Sequence, residues 1–322
     1  MLTRRSALTA LAALAAVRAA GAQAFPSRTV TIIVPYPAGG PVDGIARMMA
    51  QTMATQLGQT IVVDNRAGGS GIIGSVAVAR AEPDGHTLVL GTNQTHATNQ
   101  SLIKNCPYDA VKDFAPVAHI ADIPHGLVVR RGLEADSAAA LVELAKKTPG
   151  ALNYGSTGNG SASHLAAELF KTKAGVNLQH IPFRGAAPLT TELLAGRIDL
   201  TFVTLPSVIS YLEAGVLRAL AVASPKRAPR LPNVPTLAEA GIAGVEADAW
   251  FALFAPAKTP PATLDRLYGA VSAGLMSEPA SNAIAAQGMT LALRPTAEMA
   301  AWLPGEVTKW AAVIKTAGVT VE

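Results

Sequence analysis

With a single cysteine, Cys106, in 322 residues, the chain can form neither an internal disulfide framework nor a multi-cysteine zinc site. Charged residues make up only 15% and aromatic ones 5%, whereas half of the chain is hydrophobic. That is too apolar for a disordered chain and too long for one small domain, so two packed domains are expected. The motifs of common hydrolases are missing as well: there is no G-x-S-x-G nucleophile elbow and no H-E-x-x-H. No Lys/Arg run exceeds two residues, and no aromatic residues interleave with basic ones. Nucleic acid is therefore not an expected partner, despite the formal net charge of +4.

Much of that charge sits in the first 24 residues. Arg4-Arg5, the Ala/Leu/Val-rich run Ala7–Val17 and the small-x-small site Ala22-Gln23-Ala24 read as a secretory signal peptide. The run is well short of the roughly 20 residues a spanning helix needs. Paired arginines allow the twin-arginine route, and Sec export is equally open. Without this leader, 23 basic and 22 acidic residues remain, a net charge of +1. A soluble exported protein is expected.

The remaining chain alternates short β-rich runs with helical periodicity. Val30–Pro35 reads as a strand, followed by a helical pattern through Ile45, Met48, Met49, Met53 and Leu57. Ile61–Val63 and Leu88–Leu90 are further strands, with a helical pattern at Ser75–Arg80 between them. The pattern restarts after residue 122, with strands at Leu127–Val129, Asn153-Tyr154, His180–Phe183, Asp199–Val203 and Ala219–Ala223. Helices are expected at Ala138–Lys147, Ser163–Lys173 and Leu189–Ala195. After a Pro-rich connector come the strand Trp250–Phe254 and three helical stretches, including Ala262–Met276 and Met299–Ala317. These last helices lack strand partners for a third sheet, so they are expected to return and cover the first domain. The result is an α/β fold with largely parallel sheets. Two lobes, 25–122 plus 247–322 and 123–246, would be joined by two crossings, with a ligand cleft between them that can close.

Four loops rich in glycine or short polar residues follow strands, where open α/β sheets bind ligands. In the first, Tyr36-Pro37-Ala38-Gly39-Gly40-Pro41, the glycines permit close backbone approach and a helix start favours an anion; an ordinary strand-to-helix turn would look the same. The second carries Asn93, Thr95 and His96. The third places Ser156, Thr157, Asn159, Ser161 and Ser163 around Gly158 and Gly160, before His164; helix capping accounts for one of these hydroxyl or amide residues, not all. The fourth, Phe183-Arg184-Gly185-Ala186, sets beside another helix start a cation that could grip a carboxylate or simply be exposed.

Gly69-Ser70-Gly71-Ile72-Ile73-Gly74 matches G-x-G-x-x-G, but it stands away from the end of its strand and lacks the acidic ribose partner. No dinucleotide is expected. His96 and His164 read as hydrogen-bonding or structural residues rather than as bases, and Cys106 lacks an activating neighbour.

Over Phe25–Glu322 the chain resembles the solute receptors of tripartite tricarboxylate transporters, the Bug receptors. The residues that carry the likeness include Pro26-Ser27-Arg28, Ile33–Gly40, Asp64-Asn65-Arg66, Pro83-Asp84-Gly85, Pro107-Tyr108-Asp109, Lys112-Asp113-Phe114, Asn153–Ser156, His164-Leu165, Leu205-Pro206-Ser207 and Trp250-Phe251. The resemblance implies a two-lobed periplasmic binding protein of type II-like architecture, monomeric and cofactor-free, that closes on a small carboxylate and serves the membrane components of a transporter. A sensor kinase is a further partner it allows, and a secreted hydrolase built on the Ser-rich loop is the rival reading. It implies that Tyr36–Gly40 hold one end of the ligand, with Asn93–His96, Ser156–His164 and Phe183–Ala186 engaging the rest. Many members carry Asp-Asn after the strand's Phe. Here Phe202-Val203-Thr204 has neither, which puts Thr204 at the site and disfavours a ligand with an ammonium group.

Overall fold

The computed structural model describes residues 25–320, so the leader lies outside the described residues. β1 (Val30–Val34) is buried at four of its five positions, as a continuous apolar run is when both faces of a sheet are covered. α1 (Pro41–Leu57) starts with proline in its first turn and ends at Gly58 in the left-handed conformation; Ile45, Met49, Met53 and Leu57 are its buried face. β2 (Ile61–Asn65), α2 (Ile72–Ala79) and β3 (Thr87–Thr92) follow, with β2 and β3 parallel to β1 on either side. A wide turn at Gln94–Thr98 and α3 (Asn99–Leu102) lead to β4 (Phe114–Ile123).

The chain then crosses into a second sheet. It comprises β5 (His125–Arg130), α4 (Ala138–Lys147), β6 (Asn153–Ser156), α5 (Ala162–Ala174), β7 (Gln179–Pro182), α6 (Ala186–Leu194), β8 (Leu200–Thr204), α7 (Ile209–Glu213) and β9 (Leu217–Val222). It returns with β10 (Ala249–Pro256), α8 (Pro261–Leu275), α9 (Glu278–Ala286), β11 (Thr290–Pro295) and α10 (Thr296–Ala317). Strand orders are β11-β4-β10-β3-β1-β2 and β7-β6-β8-β5-β9. Both sheets are mixed rather than largely parallel, because β5 and β10, the strands that follow the two crossings, insert antiparallel to their neighbours.

Two strands escape the sequence pattern. β4 carries Pro116, His119 and Asp122 on a ten-residue strand, and a register shift near Phe254 accommodates the proline. β11 lies at the sheet edge, where Arg294 and Pro295 are tolerated. The final segment thus adds a strand to the first sheet as well as covering it. Its last helix, α10, packs against β4 and also against α5 of the other lobe. On its own buried face, Glu306 accepts the indole N–H groups of Trp310 (3.0 Å) and of Trp250 on β10 (3.4 Å) and pairs with Lys309.

Candidate functional site

On the first lobe, the turn after β1 is held from below by a carboxylate. Asp43, in the first turn of α1, accepts the backbone N–H of Gly39 (2.9 Å), Arg47 Nε (3.0 Å) and Asn65 Nδ2 (3.0 Å). Asn65 Nδ2 also reaches the Tyr36 carbonyl at 3.1 Å. Arg47 and the Gly39 N–H hold the Asp43 carboxyl down at about 2. Ala38 and Gly39 are left exposed and Gly40 half-buried; the N–H groups of Val42 and Asp43 precede the first helical bond, Gly44 N to Gly40 O. The Tyr36 phenol donates to Gln94 Oε1 (3.1 Å) and receives Thr92 Oγ (2.7 Å), so it ties this turn to the next loop. Burial pushes its pKa up to about 12, and it stays a donor at neutral pH. Asp43 was not singled out from sequence. An acid in the first helical turn was the available signal for Asp43.

In the second loop Asn93 is buried but Thr95 and His96 are sealed. Thr95 Oγ bonds Thr92 N (3.0 Å) and His96 Nδ1 (2.8 Å). The His96 ring stacks on Phe254 at 4.0 Å and meets Phe114 edge-on at 4.5 Å. Burial lowers its pKa to about 3, so the ring is neutral. Both side chains face the lobe's own core in this conformation. Gly71 and Gly74 of the G-x-G-x-x-G run serve packing too: a Cβ at Gly71 would lie 2.4 Å from Thr95 Cγ2, and one at Gly74 3.0 Å from Pro35.

On the second lobe, most of the hydroxyls of the Ser-rich loop satisfy each other. Ser163 Oγ accepts Thr157 N (2.8 Å) and lies 3.0 Å from both Thr157 Oγ and Ser161 Oγ. Ser161 caps α5 by accepting His164 N. Ser156 Oγ lies 2.7 Å from His180 Nε2, a spacing that suits a nucleophile and its base. Ser156 is nevertheless 0% exposed and is held by both the N–H and the carbonyl of Gly158. His164, also buried, accepts Gly160 N–H at 3.0 Å. Open to the outside are Asn159 and Arg184, with Thr157, Gly158, Ser161, Phe183, Gly185, Ala186 and Thr204 partly so. Phe183 N bonds Ser156 O (2.9 Å) and Gly185 N bonds Thr157 O (3.3 Å), which seats the fourth loop beside the third. Thr204 Oγ pairs with Ser207 Oγ at 2.9 Å. The structure thus makes two groups, one per lobe, and among the described residues no hydrogen bond joins them.

The profile of the tripartite tricarboxylate transporter family receptor matches residues 45–319. The chain belongs to that receptor family. Protein BugT of Bordetella pertussis is 36% identical over 298 residues, 92% of this chain and 91% of BugT. The solved structure of R. palustris Rpa4515 with adipate aligns at a TM-score of 0.78 and 38% identity, covering 92% of this chain and all of the other. MatC (Rpa3494) from Rhodopseudomonas palustris with bound malate aligns at 0.74 and 32%, covering 90% of this chain and all of the other. Members of the family are periplasmic solute-binding receptors, not enzymes.

Beside the receptor's two crossings lies a half-open cavity of about 320 Å³ lined by Asp122, Pro124, Ser224, Asp248 and Arg294, among others. Asp122 holds His119 Nε2 at 2.6 Å, and Ser224 Oγ bonds Asp248. Burial pushes Asp248 up to about 7, and the nearby Asp122 charge adds to it. A carboxyl that keeps its proton longer in the folded state loses stability as pH rises from its unfolded value, near 3.8, through 7. Asp248→Asn is therefore expected to gain stability over the wild type between pH 4 and pH 7, by on the order of 2 kcal/mol, and to level off above. Urea denaturation across that range checks it; a difference that does not vary with pH would refute it.

Proposed function

We propose that this receptor captures a small organic mono- or dicarboxylate, aliphatic or aromatic and without an ammonium group, by closing its lobes over it. It then hands the ligand to the membrane components of a tripartite tricarboxylate transporter. The lobes are residues 25–122 plus 247–322 and 123–246, and the receptor acts as a monomer delivered to the periplasm by the leader at 1–24. The observation that carries the reading is that three helices, α1, α5 and α6, begin at the candidate loops. Their free N–H groups and dipoles favour an anion without any need for net charge. Arg184, exposed beside the start of α6, is assigned a ligand carboxylate. Tyr36, Ala38, Gly39, Gly40, Asn93, Thr157, Gly158, Asn159, Ser161, Phe183, Gly185, Ala186 and Thr204 are assigned to the ligand surface. Thr95, His96, Ser156 and His164 support the loops from behind. The adipate and malate found in the related structures fit this chemistry.

Thermal-shift titration of ligand-stripped protein is expected to show saturable stabilisation by adipate- or malate-type acids, and less by glutamate or aspartate. Arg184→Ala and Asn159→Ala each weaken binding about tenfold or more, with little change in the ligand-free melting temperature. A receptor that prefers the amino acids, or variants that bind as well as the wild type, would sink the proposal.

A further inference from the structure

The third loop rests on two imidazoles from different elements. His164 of α5 and His180 of β7 stack with centroids 3.9 Å apart and planes 9° from parallel. Each ring holds a different point of the loop: His164 Nδ1 accepts the N–H of Gly160 (3.0 Å), and His180 Nε2 pairs with Ser156 Oγ (2.7 Å). Both contacts depend on protonation. A neutral His164 offers Nδ1 as an acceptor; the imidazolium would turn a second N–H toward that of Gly160 and break the bond. In its Nδ1–H tautomer, neutral His180 accepts a hydrogen bond from the Ser156 hydroxyl at Nε2. Once protonated it donates instead, and the hydroxyl must turn to the Gly158 carbonyl, 3.1 Å away.

We propose that this stacked pair is a proton-operated positioning device for the third loop, which sets the anion-binding conformation while both rings are neutral and releases it when one of them takes up a proton. The inference rests on the third loop being part of the ligand site.

The surroundings favour the neutral pair at physiological pH. Facing it are Tyr154 of β6, stacked 4.8 Å from His180, and Glu168 and Lys171 of α5. Glu168 lies 3.9 Å from His164 Nε2, but its Oε1 is already bound by Tyr154 OH (2.5 Å) and Lys171 Nζ (2.6 Å). On the side of α5 turned to α10, Lys173 and Lys309 line a shared groove, with Lys309 already paired with Glu306. Burial lowers both histidines, His180 to about 4, where the His164 ring also opposes a charge; Lys171 adds to the lowering of both and Glu168 offsets part of it. His180 is half-buried, so protons reach the pair. A histidine lowered in the native arrangement supports that arrangement fully above its free value near 6.5 and progressively less as pH falls toward 4.

The test compares wild type with the double variant His164→Asn/His180→Gln, whose amides can keep both hydrogen bonds without titrating. Adipate and malate affinities are measured by calorimetry at pH 7.5 and 5.0. Because the ligand's own titration is common to both proteins, the informative quantity is each protein's ratio of affinities. The wild-type ratio is expected to exceed that of the double variant by about tenfold; equal ratios overturn the proposal. A ligand-free readout accompanies it: in NMR spectra of the wild type, the Gly160 amide is expected to shift and lose exchange protection as the two rings titrate, His180 at about 4 and His164 below its free value. A Gly160 amide that ignores that titration, or rings that titrate near 6.5, overturns the device even if the variant fails to fold. Failure of every acid to bind at pH 7.5, with the Gly160 response intact, would instead overturn the assignment of the third loop to the ligand site.

Discussion

Glu306→Leu is expected to cost about 3 kcal/mol of stability and to lower the melting temperature by roughly 5 °C. The carboxylate is 8% exposed and is the shared acceptor for two indole N–H groups, on Trp250 of β10 and Trp310 of α10. Removing it strands both donors where water does not reach, and each unpaired buried donor costs about 1–3 kcal/mol. Lys309 loses its partner as well, but at 36% side-chain exposure it regains water and contributes little. Lys309 Nζ also reaches the Glu246 carbonyl at 3.4 Å, so the same residues fasten α10 to the segment returning from the second lobe. Glu306→Gln keeps an acceptor and is expected to lose less than half as much. Chemical denaturation of both variants checks the ordering; a Leu variant as stable as the Gln variant would refute the role.

Asp43→Ala is expected to weaken ligand capture by at least tenfold while the protein still folds. Asp43 bonds Gly39, Arg47 and Asn65 at once, and Asn65 in turn bonds the Tyr36 carbonyl. Without it, the exposed Ala38-Gly39 backbone is no longer held at the start of α1, and ordering it again on binding costs on the order of 1–2 kcal/mol. Asp43→Asn retains acceptors but loses the charge that Arg47 answers, and its loss is expected to be intermediate. Titration calorimetry with adipate measures both. An Asp43→Ala affinity equal to wild type would show that the first loop needs no such support.

Some elements were legible because their signals are local. The VTIIV run of β1, the proline that opens α1 and the Met/Ile spacing behind it each encode structure within a few residues. Both crossings between lobes could be inferred, because the strand–helix alternation restarts after residue 122 and the final stretch showed too few strands for a third sheet, although the edge strand β11 within it went unread. β4 could not be read, because its register shift depends on β10, more than a hundred residues away, and only that partner makes Pro116 acceptable.

The candidate site divides the same way. Sequence alone determined where the loops fall, that they are rich in glycine and hydroxyls, and which family the chain resembles, since composition and order along the chain carry that information. It could not decide which polar groups remain available to a ligand. His96 lies against Phe254, 158 positions away, and Ser156 meets His180 across two adjacent strands. A hydrogen-bonding group is open only if no neighbour has satisfied it, and in a folded chain those neighbours are chosen by tertiary packing.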